Sequence, residues 1–316
     1  MTAHWNALPP SNKATHVRVS PLSVHIGAEI RGVDLKAPLT TAEVAAIRAA
    51  LLEWKVVFFR DQPMDHRQHV GFARQFGDAT PGHVVFGGDE QFPEIYSIAK
   101  FRKANSKRGT SALRAWSGWH ADITAAVNPP AASILRGVDV PPYGGDTLWT
   151  NLAAAYNALS PALRGWLDTL HGEHRYDPPA RTARSADYDE EISKNKLAAV
   201  HPLVRVHPET GEQVLYVSPG FLKSIVELTP QESERIMHLL WEHAVLPEFT
   251  VRFKWEPGSV AFWDNRATAH LAPRDIFDVD FERQFYRVTL MGDVPVGVDG
   301  KASKLLEGQP IAPILP

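Results

Sequence analysis

Three residues far apart in the chain are of types that could hold a metal ion together. His120 and Asp122 stand two positions apart within residues 117–124, and His270 lies well downstream. In an extended strand the side chains at i and i+2 point to the same face, so a strand here would aim an imidazole and a carboxylate at one point. A second strand ending near His270 would add another imidazole. Two histidines and one carboxylate on one face of a metal are typical of non-haem Fe(II) oxygenases.

The composition restricts the other possibilities. The chain has 316 residues, of which 44% are hydrophobic and 22% charged, as in a globular protein that buries a sizeable core. A net charge of -3 without a basic stripe argues against nucleic acid as the main partner. No apolar run is long enough to cross a bilayer and the N-terminus lacks a secretory pattern, so we expect a cytoplasmic protein without a membrane partner. Because the chain has no cysteine, any metal site must consist of His, Asp and Glu.

Strand patterns at both ends of the chain must position these residues. Apolar runs predict strands or hairpins at 17–33, 56–59, 95–98, 132–140, 146–150, 203–217, 250–255, 259–264 and 285–291. Capping boxes at Thr40 and Asp65, and the pairs Ser160-Pro161 and Thr229-Pro230, predict helix starts. The last two of these helices belong to a predicted helical insertion at about 150–245. The order favours a mainly β fold with helical insertions, closed into a double-sheet barrel, over a parallel α/β sheet.

Residues 99–118, directly before His120, differ in composition from their surroundings. Large apolar residues are few there, and the basic residues are Lys100, Arg102, Lys103, Lys107, Arg108 and Arg114. This composition predicts a mobile loop. Such a loop is either simply solvated or closes over the neighbouring site as a lid, and the sequence leaves both roles open.

A pair of arginines near the C-terminus indicates an anion. Arg283 and Arg287 stand four positions apart, so in a strand both face the same side as Phe285 and Thr289. Guanidinium groups that face the interior are costly unless an anion meets them, and their fork suits a carboxylate or a sulfo group. Salt bridges to nearby acids are the alternative; these acids are Asp275, Asp278 and Asp280.

Several motifs in a fixed order give a more specific indication. They are Ile26-Gly27-Ala28-Glu29-Ile30, Phe76-Gly77-Asp78, Trp119-His120-x-Asp122, Asn128-Pro129-Pro130-Ala131, Gly144-Gly145-Asp146-Thr147-Leu148-Trp149, Trp263-Asp264-Asn265-Arg266 with His270, and Arg287-Val288-Thr289-Leu290-x-Gly292-Asp293. Together they resemble the taurine dioxygenase / 2,4-D dioxygenase family of Fe(II)- and 2-oxoglutarate-dependent enzymes. The resemblance covers nearly the whole chain and implies one domain, 1–316, with a double-stranded β-helix (jelly-roll, cupin-like) core.

The resemblance implies a role for each matched residue. His120, Asp122 and His270 match the iron ligands of the family. Thr147 and Arg283 match the pair that holds the distal carboxylate of 2-oxoglutarate. The implied cofactors are Fe(II) and 2-oxoglutarate, with O2 as oxidant, and relatives are commonly dimers or tetramers, which predicts a homo-oligomer here.

Other matched residues concern the substrate. Arg287 matches the arginine that meets the sulfo group in the taurine and alkylsulfate enzymes, and His83 resembles the substrate-binding histidine of the taurine enzyme. Phe221 and Phe86 resemble pocket-wall residues. Trp116 stands where the taurine-type pattern has an asparagine that contacts substrate, which is a departure from a taurine site.

A second departure concerns the register of the arginines. The interval from His270 to Arg283 is slightly longer than in the taurine enzyme, which makes Arg274 a possible replacement for Arg283.

These observations favour hydroxylation of a small anionic substrate at a carbon next to a heteroatom, with release of succinate and CO2. Alkylsulfates, sulfonates and aryloxyalkanoates are the expected classes, in that order, because Arg287 and His83 suit an anion and the surrounding aromatic residues suit a tail bulkier than that of taurine. The same chemistry on a biosynthetic intermediate, by hydroxylation or desaturation, is an alternative. From other classes, a zinc-dependent hydrolase and a non-catalytic barrel binding protein remain open.

Overall fold

The computed structural model of the protein describes residues 16–99, 114, 118–176, 190 and 193–315. Nearly all of the predicted loop at 99–118 lies outside these residues, as does Trp116. Within the described part of the chain, none of the helices has the length and apolar character needed to span a bilayer.

Strands are the main element of the described chain. They are β1 Arg18–Pro21, β2 Ala28–Arg31, β3 Val56–Phe59, β4 Tyr96–Ala99, β5 Ala132–Asp139, β6 Thr147–Asn151, β7 His171–Arg175, β8 Ala198–Pro202, β9 Val204–Val206, β10 Gln213–Leu215, β11 Leu222–Ile225, β12 Thr250–Phe253, β13 Val260–Asp264, β14 Thr268–Leu271, β15 Gln284–Leu290, β16 Val296–Gly297 and β17 Lys304–Glu307. The α-helices are α1 Thr41–Trp54, α2 His66–Ala73, α3 Leu152–Ala158, α4 Pro161–Leu167 and α5 Pro230–Ala244. The mainly β prediction is therefore confirmed.

Two sheets position the residues of interest. The larger has the order β1-β2-β3-β13-β5-β15-β4, and the second has the order β12-β6-β14. Neighbouring strands are antiparallel in both, except for the parallel pair β2 and β3. Two smaller sheets, β11-β7-β8-β17 and β10-β9-β16, lie among the described residues as well. No sheet shows the regular alternation of parallel strands and helices that an α/β fold requires.

The two main sheets pack against each other through aromatic side chains. Trp149 of β6 lies edge-on to Trp263 of β13, with ring centroids 5.6 Å apart, and Phe253 of β12 stacks on Phe58 of β3 at 4.0 Å. Phe285 of β15 belongs to the same buried cluster. Because side chains alternate along a strand, Arg287 is on the face of β15 that carries Phe285 and points between the sheets.

The predicted capping boxes begin α1 and α2 as expected. The side chains of Thr40 and Asp65 accept from the backbone N–H groups three residues later, and the boxes are completed by Glu43 and Gln68. Both helices contribute buried side chains to the cluster that covers the other face of the large sheet. The sequence predicts that α2 continues to Gly77, whereas the structure ends it at Ala73.

The segment at about 150–245 is less helical than the sequence predicts. The starts of α4 after Ser160 and of α5 after Thr229 are confirmed. The same segment also contains strands β7 to β11, of which the sequence indicates only the hairpin of β9 and β10. The other strands are short, four or five residues each, and most of their side chains are polar or small, so they lack a strong periodic pattern.

Gly292 offers a test of the packing around the end of β15. A β-carbon added to Gly292 would lie 1.8 Å from the Pro129 carbonyl oxygen, which is backbone and cannot move away easily. We expect Gly292→Ala to lower the free energy of unfolding by about 1–3 kcal/mol or more. In Gly165→Ala, on α4, the added carbon meets nothing within 4 Å, so helix propensity should raise that free energy by up to about 1 kcal/mol. Urea unfolding followed by circular dichroism measures both, and equal stabilities would contradict the close approach.

Candidate metal centre

His120 and His270 are brought together by backbone pairing. The two residues form an isolated antiparallel bridge, in which each donates its N–H to the other's carbonyl, at 2.9 and 2.7 Å. Their ring centroids are 4.2 Å apart. His270 lies on β14, as the sequence predicts, and its Cα partner on β6 is Trp149. The second sheet therefore holds one histidine and positions the other.

Asp122 also lies beside the two histidines, but the backbone that places it there is not the predicted strand. His120 is a single bridge residue, and the chain turns from Asp122 onward, so the expectation that both lie on one extended strand is wrong. Ile123 has a φ of 47°, in the left-handed region, and the Ala126 N–H donates to the Ile123 carbonyl at 3.0 Å. A turn, and not the alternation of a strand, places the carboxylate beside the imidazoles.

The three side chains form a compact donor set. One ligand atom from each of His120, Asp122 and His270 lies within 4.8 Å of the others. His120 Nδ1 is 3.1 Å from the Gly118 carbonyl oxygen and must carry a proton to donate to it, which leaves Nε2 as the lone-pair nitrogen. Burial and the neighbouring His120 lower the pKa of His270 to about 3, so this imidazole is neutral at pH 7. Neutral imidazoles and a carboxylate fit a divalent metal such as Fe(II).

The carboxylate of Asp122 is buried and ionised. Burial by itself would raise the pKa of this carboxyl, but Arg287, the two histidines and the Ser133 hydroxyl outweigh it and hold the pKa well below its usual range. Arg287 Nη1 donates to Oδ1 at 2.5 Å, and Ser133 Oγ donates to Oδ2 at 2.6 Å. No pattern in the sequence indicates the contact of Ser133, on β5, with Asp122, in the turn after His120.

Thr147 and Arg283 meet around one pair of aromatic rings. Trp255 Nε1 donates to Thr147 Oγ1 at 3.0 Å, and the Trp255 ring lies 4.7 Å from that of Phe285. The Arg283 guanidinium carbon is 4.0 Å above the same Phe285 ring. A β-carbon on Gly145 would lie 3.2 Å from Arg283 Nε, so the Gly144-Gly145 turn passes directly beside this arginine. The two residues predicted to hold 2-oxoglutarate are therefore close to each other.

Arg283 has the character of an anion-binding group. Within the described chain it forms no ion pair and its buried Nε has no hydrogen-bond partner, so the predicted alternative of salt bridges to Asp275, Asp278 or Asp280 does not apply to it. Burial lowers its pKa to about 10, which still leaves it cationic at neutral pH. Arg274, the possible replacement, is exposed on a 3-10 helix at Arg274–Asp278.

Arg287, which donates to Asp122, and His83 lie against the same tyrosine. Tyr96 of β4 is the Cα partner of Arg287, and its ring centroid is 5.5 Å from the guanidinium carbon and 4.8 Å from the His83 ring. The backbone N–H groups of Val85 and Phe86 donate to His83 Nδ1 at 3.1 and 3.3 Å. Nδ1 is therefore unprotonated, and the ring proton is on Nε2. Tyr96 was missed in the sequence because nothing local indicates the β4–β15 register.

The predicted wall residues Phe86 and Phe221 belong to one apolar cluster. Phe86 lies 4.7 Å from the His83 ring, and Phe221 lies 5.6 Å from Tyr176, whose ring is in turn 6.1 Å from His83. A β-carbon on Gly220 would lie 3.1 Å from the β-carbon of His120, so the chain before Phe221 runs directly past the donor set. The structure adds Tyr176 to this wall.

The pairing of Arg287 with Asp122 predicts strong energetic coupling. Asp122→Asn and Arg287→Met should each lower the free energy of unfolding by about 3–5 kcal/mol, because each leaves a buried charge unpaired. The double variant should lose clearly less free energy of unfolding than the two single variants lose together. The surface pair Lys301 and Asp299, 2.8 Å apart, is the control and should couple by less than about 1 kcal/mol. Urea unfolding of all variants of both double-mutant cycles, in the presence of a chelator, measures the coupling. Additive effects of the Asp122 and Arg287 substitutions would refute it.

Comparison with known proteins places this geometry in a family context. Residues 18–289 match the family model described as taurine catabolism dioxygenase TauD, TfdA family. The chain is 39% identical over 308 residues to an alpha-ketoglutarate-dependent sulfate ester dioxygenase of Pseudomonas putida, with 94% of this chain and 97% of the relative covered. It is 34% identical to an alkylsulfatase of Acinetobacter baylyi, with 93% and 90% covered. A crystal structure of a taurine dioxygenase from Burkholderia xenovorans is 61% identical, with a TM-score of 0.83 over 93% of this chain and 96% of that one.

Proposed function

Since the chain belongs to the TauD/TfdA family and is an alpha-ketoglutarate-dependent dioxygenase, we propose that it hydroxylates a small anionic substrate at a carbon next to a heteroatom. As an oxidoreductase of this class it uses Fe(II), 2-oxoglutarate and O2. The observation that carries the substrate proposal is the position of Arg287 and His83 around Tyr96, beside the His120, Asp122 and His270 donor set. Products are the hydroxylated substrate, succinate and CO2.

The proposed iron ligands are His120, Asp122 and His270. When bound, Fe(II) with 2-oxoglutarate and O2 supplies the oxidation that inserts oxygen into a C–H bond of the substrate. His270 is a neutral imidazole and Asp122 an ionised carboxylate at neutral pH, so metal binding requires no proton to leave these two groups. Three protein ligands leave coordination positions for small molecules.

Arg283 and Thr147 are proposed to hold the distal carboxylate of 2-oxoglutarate. Arg283 is buried, cationic and unpaired within the described residues, and its guanidinium lies against Phe285. The Thr147 hydroxyl accepts from Trp255 Nε1, which orients its own proton away from the indole and toward an acceptor such as a carboxylate oxygen. A buried cation of this kind favours a ligand that carries a compensating charge.

Arg287 and His83 are proposed to bind the anionic group of the substrate. One Nη of Arg287 bonds Asp122, and a guanidinium has further N–H donors. The proton of His83 on Nε2 makes this residue a neutral donor. Holding an anionic group at a fixed point sets which carbon lies over the metal.

The expected substrates are alkylsulfates first, then sulfonates and aryloxyalkanoates. Relatives named for sulfate esters and alkylsulfates support this order, and the structure named a taurine dioxygenase places a small sulfonate among the compounds to test. The wall formed by Phe86, Tyr176 and Phe221 suits an apolar tail. Hydroxylation at the carbon that bears a sulfate ester gives an unstable product that expels sulfate. Hydroxylation or desaturation of a biosynthetic intermediate is the second candidate for the same chemistry.

Four broader features belong to the proposal. The two main sheets are proposed to be the halves of a double-stranded β-helix, supported by the aromatic packing between β6 and β13. Residues 1–316 are proposed to form one domain. A cytoplasmic location and a homodimer or homotetramer remain predictions from the sequence.

Anaerobic titration with 2-oxoglutarate tests the metal proposal. The Fe(II)-loaded protein should develop a visible iron-to-keto-acid charge-transfer band, and Asp122→Ala should lose it because one ligand is removed. The Zn(II)-loaded protein is the control and should show no band. A protein that is active with Zn(II) but needs neither O2 nor 2-oxoglutarate would instead be a hydrolase, and one with no activity in either form a binding protein.

Steady-state kinetics separate the substrate site from the co-substrate site. With the best compound from a panel of alkylsulfates, sulfonates including taurine, and aryloxyalkanoates, we expect His83→Leu to raise the substrate KM roughly 10- to 100-fold, the value of a lost hydrogen bond to a charged group. The KM for 2-oxoglutarate should change little. Arg283→Met should give the opposite pattern, and the exposed His25→Leu should change neither constant. Succinate release that no anionic compound stimulates would refute the substrate class.

A further inference from the structure

The carboxylate of Asp122 is the last acceptor in a line of buried hydrogen bonds. Trp263 Nε1 lies 2.8 Å from Asn265 Oδ1, Asn265 Nδ2 lies 2.8 Å from Ser133 Oγ, and Ser133 Oγ lies 2.6 Å from Asp122 Oδ2. None of the four residues is more than 3% exposed. Water therefore does not compete for these groups, and each proton must be shared among them.

The residue types determine the direction of every bond in this line. An indole N–H can only donate, so the amide oxygen of Asn265 must face Trp263 and the amide nitrogen must face Ser133. The backbone N–H of Asp122 lies 3.5 Å from the same amide oxygen, which agrees with this orientation. The amide nitrogen also only donates, so Ser133 Oγ accepts from it. The single proton of Ser133 is then left for Asp122.

The line of hydrogen bonds runs between the neighbouring strands β13 and β5. Ser133 of β5 is the Cα partner of Trp263 on β13 and of Thr289 on β15. Arg287, which donates to the other oxygen of Asp122, is two residues before Thr289 on the same face of β15. The two oxygens of one carboxylate are thus held by donors from adjacent strands.

We propose that Ser133, oriented by Asn265 and Trp263, is a positioning residue that sets the rotation of the Asp122 carboxylate relative to His120 and His270. The inference rests on the proposed function, in which these three residues bind the metal. Ser133 does not touch the metal or the substrate in this scheme. It acts on the metal through Asp122 only, in the way that hydrogen-bond partners of metal ligands tune affinity elsewhere.

Anaerobic titration with Co(II), followed by its visible absorption, tests this role without turnover. Ser133→Ala should raise the dissociation constant for Co(II) roughly 10-fold, the usual loss when such a partner is removed. Ser133→Thr keeps the hydroxyl and should restore most of the affinity. The matched control is Ser233→Ala, because Ser233 is also buried but its hydroxyl accepts from the Ile225 backbone on the α5 side. It should bind Co(II) like the wild type.

The outcomes separate this inference from the proposed function. A wild-type protein without the Fe(II)–2-oxoglutarate band would overturn both. A wild type with the band, together with Ser133→Ala that binds Co(II) as tightly as wild type or no more weakly than Ser233→Ala, would overturn the positioning role alone. If Ser133→Ala does not fold, Ser133→Cys replaces it, because a thiol nearly preserves the volume but is a weak donor. The same loss of affinity is expected from it, and wild-type affinity would refute the proposal.

Discussion

The ionised carboxylate of Asp122 is the group on which the rest of the centre depends. A buried charge is costly unless it is paired and hydrogen-bonded, and here a guanidinium and a hydroxyl take one oxygen each. Their donors, Arg287 and Ser133, come from adjacent strands of the large sheet, whereas the neighbouring His270 comes from the second sheet. The carboxylate therefore lies between donors of the large sheet and a histidine of the second sheet.

Two arginines, one just before β15 and one within it, are proposed to have different tasks. Arg283 lies just before the strand and Arg287 within it, and four residues of extended chain separate them by about 13 Å. The first lies over Phe285 near Thr147, and the second lies beside Tyr96 and Asp122. One strand thus holds the proposed co-substrate contact and the proposed substrate contact at a set distance. The pairing of β15 with β5 has a register shift between Gln284 and Phe285, which lie between the two arginines.

Local features of the chain were the most predictable from the sequence. The capping boxes at Thr40 and Asp65, and the proline starts of α4 and α5, depend on side-chain contacts within three residues, so their motifs are sufficient. The strands β13 and β15 have long buried runs and were also predictable. The short strands β7, β8 and β11 were not, because partners distant in the sequence stabilise them and their own patterns are weak.

The sequence by itself determined the types of the chemical groups: two histidines, one acid and two arginines, with no cysteine to offer another metal chemistry. The tertiary structure decided how they meet. A turn at Ile123, and not a strand, brings Asp122 to His120 and within hydrogen-bond distance of Ser133 on β5, and the register of β4 on β15 places Tyr96 beside Arg287. The physical reason is that residue type can be read from the chain itself, whereas these contacts depend on the turn after His120, the pairing of strands and the packing of sheets, which the local patterns here did not indicate.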